Sequence, residues 1–369
     1  MKINLFDTLA QFGRILQERL FPALEEELGP LSEKHQQLIT VLSLIGMEGH
    51  VDGSHGGRGR PPLDRLAFGR AFVAKAVFNL PTTEMLIQLL GSDSTLRRIC
   101  GWETVLQVPK KWDFSRAFKE FAQSELPQRI HEALIRRSQG ERLIGHISRD
   151  ATAIAARERV VKEPATAAPV VAPEPKPRRK RGEPKRPEQM TRIERQQTMT
   201  LPEMLADLPR QCAVGCKTNS HGRKETWRGY KLHLDIADGQ IPISAVLTAA
   251  SLHDSQVAMP LMKMTAGRVT NLYDLMDSAY DCGALREESQ AMGHVPIIER
   301  LERTKGKVAM APHEAARYRE RTSVERVNSR LKDEFGGRYV RVRGHAKVMA
   351  HLMFGLLVLT VDQILRIAT

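Results

Sequence analysis

"TWRGYKLHLDIADGQIPISAVLTAA", residues 226–250, decides the fold class. Two runs rich in Leu, Ile and Val flank the turn-forming stretch Ala-Asp-Gly-Gln at 237–240, which is the pattern of two strands joined by a short connection. Working outward, "RLIGHISRDATAI" (142–154), "VTNLYDLMD" (269–277) and "HVPIIER" (294–300) are apolar or alternating runs bounded by Gly, Pro or Asp, and read as three more strands. "DSQVAMPLMKM" (254–264) and "CGALREESQAMG" (282–293) carry helical spacing, and a long charged helix begins near 313. Three strands followed by two that alternate with helices predict a mixed α/β sheet with helices packed on it. Ligands of such sheets bind beyond the carboxyl ends of strands.

The first part of the chain reads differently. Apolar residues recur every three or four positions in 5–28, 36–47, 64–80, 82–91 and 93–102, with Thr82 and Asp93 placed as N-caps. Short helices joined at a glycine fit a helix-turn-helix or an ordinary helical bundle. The glycine- and arginine-rich break "GHVDGSHGGRGRPPL" (49–63) interrupts this region. A second break, "KEPATAAPVVAPEPKPRRKRGEPKRPEQ" (162–189), has almost no large apolar groups, and its core "KPRRKRGEPKR" suits a phosphate-contacting tether or a solubilising linker. The expected organisation is a helical N-terminal domain over 1–140 and an α/β domain over 141–369, with the basic insert at about 160–200.

A chain of 369 residues with 41% hydrophobic residues can bury a sizeable core. Its formal net charge of +13 and pI of about 9.8 point to a polyanionic partner, with a membrane surface the weaker alternative. The start "MKINLFDTLAQFG" lacks the order of a secretory signal. The late apolar run "VMAHLMFGLLVLTVDQILRI" (348–367) is broken by His351 and Asp362, so a buried helix is expected there rather than a membrane span. Four cysteines suggest a reducing compartment. Cys212, Cys216 and His221 could ligate a metal, but their spacing is loose and no second pair closes a site.

Asp150 and Asp277 each close an apolar strand pattern, and with Glu325 on the late helix they form a set of three carboxylates. Magnesium suits such a set because it takes hard oxygen ligands and keeps waters for substrate phosphates. Asp254 and Asp281 precede helical pieces and read as caps, Asp274 lies inside its strand, and His233 and His253 read as structural. The late helix, "YRERTSVERVNSRLK" (318–332), places Tyr318, Arg321, Glu325 and Lys332 within a stripe about 60° wide at ~100° per residue.

These residues resemble insertion-sequence transposases of the DDE type, in the branch marked by Y-x2-R-x3-E-x6-K, which stands here as Tyr318, Arg321, Glu325 and Lys332. "DSAYD" (277–281) is similar to their second-aspartate motif, and 217–256 and 57–90 resemble their central strands and helical N-terminal region. The resemblance implies an RNase H-like mixed sheet with flanking helices, preceded by an all-helical N-terminal domain. It implies Asp150, Asp277 and Glu325 as catalytic, metal-binding residues holding two Mg²⁺ ions, with Mn²⁺ able to substitute. Tyr318, Arg321 and Lys332 would contact DNA. The implied partners are double-stranded DNA, as element ends and as target, and a second copy of the chain or more in a synaptic complex. The implied location is the cytoplasm. Two departures stand out: Ala151 follows Asp150 where Gly or Ser is usual, and the large insert lies between the first two strands. A metal-dependent nuclease of the same fold, or a catalytically silent DNA-binding protein, remains open at this point.

Overall fold

The computed structural model describes residues 5–51, 63–160, 190–218, 222–302 and 306–368. The core of the glycine-rich break, His221 and the basic insert at 162–189 lie outside the described residues.

Residues up to 140 form the helices α1 (Leu5–Ile15), α2 (Phe21–Leu28), α3 (Glu33–Ile45), α4 (Arg65–Val77), α5 (Thr83–Ser92), α6 (Ser94–Cys100), α7 (Lys111–Gln123) and α8 (Leu126–Gln139). Both expected caps are present: Thr82 Oγ1 accepts from Met85 N at 3.1 Å, and Asp93 Oδ1 accepts from Leu96 N at 2.8 Å. Each satisfies a backbone donor that the helix cannot, a contribution of about 1 kcal/mol. The bundle closes on aromatic rings. Phe72 of α4 stands 4.8 Å from Phe118 of α7 and 6.0 Å from Phe114, centroid to centroid.

The remaining elements are β1 (Leu143–Ala155), α9 (Arg192–Gln196), α10 (Leu201–Asp207), β2 (Ala213–Thr218), β3 (Lys224–Ala237), β4 (Ile241–Ala249), α11 (Ser255–Ala266), β5 (Thr270–Met276), α12 (Gly283–Ala291), β6 (Val295–Ile298), the short hairpin β7 (Leu301–Glu302) and β8 (Gly306–Lys307), α13 (Pro312–Tyr318), α14 (Thr322–Glu334) and α15 (His345–Ala368). The six-stranded sheet runs β2-β3-β1-β5-β6, with β4 also pairing β3. β1 pairs antiparallel with β3, which pairs antiparallel with β4, whereas β1, β5 and β6 run parallel. The five strands expected from the sequence are all present. β2 is an addition: "AVGCKT" pairs with the first half of β3, beyond the end of β1. Gly229 makes this possible, because at φ 150° it lets β3 bend past β1 where a Cβ would collide with the Ile154 carbonyl.

Every residue of β4 is buried although β4 is an edge strand. Its free edge is covered by side chains: Arg268 Nη1 donates to Ile243 O at 2.7 Å, and His345 Nε2 lies 2.8 Å from Leu247 O. The late apolar run forms α15, and the most apolar window of that helix is 89% buried. It lies between α4, α7 and α8 on one side and β4 on the other, with the Phe354 ring 5.9 Å from Phe72. A helix apolar all round is stable in water only when covered all round. One continuous core therefore joins the helical layer to the sheet.

Candidate active site

Asp150 does not end its strand. β1 continues to Ala155 because Asp150 to Ala155 stay paired with Leu234 to Gly229 of β3. Pairing with β5 stops earlier, at Ser148↔Leu275, so Asp150 emerges on the side that β5 has left open. Extending that parallel register by two residues sets Asp277 beside Asp150. Adjacent strands are about 4.8 Å apart and side chains alternate with a period of two, so both carboxylates share one face.

α14 packs over that face. Ser323 Oγ donates to Ser148 Oγ at 3.2 Å, and Lys332 Nζ donates to Thr152 Oγ1 at 2.6 Å, which brackets Asp150 between Ser148 and Thr152. The charged helix is not continuous, however. Arg319–Arg321 form a 3₁₀ turn between α13 and α14, and this tighter winding rotates Tyr318 out of the simple 100° phase. Tyr318 still meets Arg321, whose guanidinium lies 5.8 Å from the ring centroid.

Arg321 is the cation on which the acidic groups converge. Its Nη2 donates to Glu325 Oε1 at 2.8 Å, and its charge is felt by Asp150 and Asp277 as well. Burial alone would depress Arg321, but Tyr318 and the three carboxylates hold its pKa above the ordinary value. Burial pushes Asp150 up to about 7. The Ala151 amide and Arg321 partly oppose the shift, and the neighbouring Asp277 and Asp254 add to it. Burial also raises Asp277, although its Oδ1 accepts from Ala279 N at 2.9 Å and so caps a short 3₁₀ turn.

A folded-state pKa above the unfolded one means that the native state binds more protons between about pH 4 and 7. The stability of the metal-free protein therefore falls as pH rises through that window. Asp150→Asn, which cannot ionise, should unfold later than the parent above pH 7, by on the order of 2–4 kcal/mol. The gap should close toward pH 4. Urea unfolding at a series of pH values checks this, and a pH-independent gap would remove the buried charge as its cause.

Arg149 and Tyr280 were not singled out from the sequence, and Asp254 was read there only as a cap. Arg149, next to Asp150 but on the opposite face, is 1% exposed and donates to Asp235 at 2.7 Å, with Asp274 at 3.9 Å. Asp254 occupies an N-cap position, yet its side chain makes no cap bond. It pairs instead with Lys231 Nζ at 2.8 Å. Among the described residues the buried Tyr280 hydroxyl has no hydrogen-bond partner, and Asp254, Asp150 and Asp277 all act on it. Local pattern could not find these, because each becomes distinctive only when β1, β3 and β5 are side by side.

Other readings resolve simply. Asp281 does not cap α12, whose N-cap is Cys282; it pairs with Arg286 at 2.8 Å. His233 is buried against Thr248 at 2.9 Å, and burial takes its pKa down to about 4. His253 lies 2.8 Å from Ser255 Oγ. Cys212 is buried and Cys216 lies exposed on β2, both as free thiols.

As a cation site the arrangement is half assembled. Asp150 and Asp277 offer hard oxygens that repel each other, and the orphaned Tyr280 hydroxyl marks a polar space beside them. That donor chemistry fits a divalent ion such as Mg²⁺. Glu325, with its side chain 54% exposed, is held by Arg321 instead. Among the described residues no three His, Cys, Asp or Glu side chains stand close enough to hold a metal together.

Comparison with known families gives two matches: a transposase DDE domain over residues 205–361 and a transposase domain (DUF772) over residues 26–120. The first begins past β1, so Asp277 and Glu325 fall inside it and Asp150 falls outside. No curated protein and no solved structure matches the chain. With one match spanning the sheet from β2 onward and the other spanning most of the helical layer, the chain belongs to the insertion-sequence DDE transposases, and its sheet is the RNase H-like core of that family.

Proposed function

We propose that this transposase binds the terminal inverted repeats of its element, cleaves their 3′ ends with the help of Mg²⁺, and joins those ends to target DNA. The observation that carries the reading is that the register sets Asp150 and Asp277 side by side on one face of the sheet, within reach of the charge of Arg321, which holds Glu325 at 2.8 Å. Asp150 and Asp277 would hold the metal, with Glu325 recruited from Arg321 once an ion competes for it. Divalent magnesium supplies Lewis-acid stabilisation of the charge that builds on the reacting phosphate. In the first step water attacks the phosphorus and the P–O3′ bond breaks, leaving a free 3′-hydroxyl on the element. In the second, that hydroxyl attacks a target phosphate, forms a new phosphodiester and expels a target 3′-oxygen.

The chain's own residues would orient the DNA. Lys332, tied to Thr152 two residues along β1 from Asp150, would bind a phosphate next to the scissile one. Arg321 and Tyr318 would hold the scissile group itself. The helical layer through residue 140 would serve end recognition or pairing of two protomers, and holding two ends together calls for at least a dimer. Incubating a labelled element end and a target duplex with Mg²⁺ tests the proposal. Nicked and joined products are expected. Cleavage without joining would indicate a nuclease, and binding without cleavage in Mg²⁺ or Mn²⁺ a silent DNA-binding protein.

Lys332→Gln is expected to weaken end binding and to make the slope of log affinity against log salt shallower by about 0.9, the share of one phosphate contact. An unchanged slope in a binding titration would argue against contact between Lys332 and DNA.

A further inference from the structure

Beyond the end of β1, on the face that carries Asp150, lies a second electropositive feature. Arg157, Arg159, Arg228 and Arg343 line an open cleft of about 800 Å³ with Ala156 and Glu158. Among the described residues none of the four guanidinium groups is paired with a carboxylate. The one acid in the cleft is already engaged: Glu158 accepts from the Tyr230 hydroxyl at 3.1 Å and from Gly344 N at 2.7 Å. It works as a strut, joining the end of β1 to β3 and to the segment that leads into α15.

The register fixes which way the cleft faces. Asp150, Thr152 and Ile154 pair with Leu234, Leu232 and Tyr230, and directly paired residues share a face. Tyr230 therefore points to the Asp150 side, and so does Arg228 two residues before it. Between Asp150 and the cleft stands Lys332 on Thr152, with Arg338 and Lys217 near enough to act on its charge. Arg338 and Lys217 are themselves paired, with Asp333 and Glu225, so among the described residues Lys332 and the four arginines are the cations without an acidic partner between the carboxylates and the end of the strand. Holding several like charges together costs free energy unless a polyanion covers them.

The spacing along β1 matches a DNA duplex. From Asp150 to Ala155 at about 3.3 Å per residue is about 17 Å. That is the rise of about five base pairs at 3.4 Å each, half a turn of B-DNA. We propose that the Arg157, Arg159, Arg228 and Arg343 cleft seats backbone phosphates of the duplex whose scissile phosphate reaches Asp150, about half a helical turn away. The assignment rests on the proposed action at Asp150 and Asp277. It makes the four arginines positioning residues: they set where the duplex lies and do not touch the reacting atoms.

The test compares the full-length protein with Arg157→Gln/Arg228→Gln/Arg343→Gln on element-end duplexes. One duplex stops just past the scissile phosphate, and two others run a full helical turn beyond it, on one side or the other. The side chains are exposed, so the variant should unfold at the same urea concentration as the parent. The parent should bind one of the extended duplexes at least about tenfold more tightly than the short one, with a salt slope steeper by up to about 3.6, about 0.9 for each arginine that seats a phosphate. The triple variant should bind the short duplex like the parent and lose most of the gain from the extension, with Arg159 alone left in the cleft. The assignment is overturned if the variant keeps the gain. It is also overturned if the variant keeps end binding and loses only joining to a target duplex, because the cleft would then belong to target DNA. Since binding is the readout, absent cleavage by the parent would sink the proposed function while leaving the cleft to be judged on affinity.

Discussion

Asp277→Asn should lower Mg²⁺-dependent cleavage of an element end by at least about a thousandfold, corresponding to ~4 kcal/mol of transition-state stabilisation. The substitution is informative because it changes so little else. Asparagine has the same size as aspartate, and its side-chain oxygen can still accept from Ala279 N, so the 3₁₀ turn at Ser278–Tyr280 should survive. What disappears is a negative oxygen next to Asp150, and with it half of the donor set that a divalent ion would need. DNA binding should be retained or rise slightly, since one negative charge leaves a surface that meets phosphates. The measurement is single-turnover cleavage of a labelled duplex in Mg²⁺ and again in Mn²⁺, alongside an unfolding curve. Parental cleavage by a folded Asp277→Asn protein would remove Asp277 from the site. The same reasoning applies to Asp150→Asn, which should combine lost cleavage with higher stability, since a site that gathers unsatisfied charge is held at the expense of the fold.

The second large effect concerns the layer beneath the site. Arg149→Met should destabilise the protein by about 3–5 kcal/mol, because removing one partner of a buried ion pair leaves uncompensated charge. Arg149 is the bridge between β3 and β5, through Asp235 and Asp274. Burial pushes the Asp235 carboxyl up even with Arg149 beside it. Asp274 also feels burial as an upward push, yet bonds from His294 at 3.0 Å and Ser289 at 2.6 Å, together with Arg149, hold it below the usual range. Without the guanidinium, Thr265, which donates at 2.6 Å, is the side-chain hydrogen-bond partner left to Asp235 among the described residues. Adding Asp235→Asn to Arg149→Met should therefore recover part of the loss, in a double-mutant comparison read by urea unfolding. A single variant within about 1 kcal/mol of the parent would show that solvent reaches this layer and that the ion pair is not a structural tie.

The two predictions separate chemistry from support. Asp150 and Arg149 are sequence neighbours on opposite faces of β1, and one strand residue decides which side each serves. The outward carboxylate faces α14 with its Arg321 and Lys332, while the inward guanidinium neutralises the acids that would otherwise drive β3 and β5 apart.

Much of this could be read from the chain alone. The five core strands follow from apolar runs bounded by turn residues, the helix starts from Thr82 and Asp93, and the buried α15 from an apolar stretch interrupted by His351 and Asp362. These are local features, set by propensity, capping and periodicity within a few residues. Three-dimensional structure was needed where partners are distant in sequence. Asp150 proved to sit within β1, because pairing with β3 carries the strand on to Ala155 whereas pairing with β5 ends at Ser148. β2 needed the first half of β3 to exist at all, since a short exposed strand has no stability without a partner. The helix expected to be continuous through Tyr318 is broken by a 3₁₀ turn, and Glu325 rests on Arg321 rather than with the aspartates. Which residues carry charge, and roughly where strands lie, was settled by the sequence. Which charges face each other was settled by register, because a shift of one residue along a strand moves every side chain to the other face.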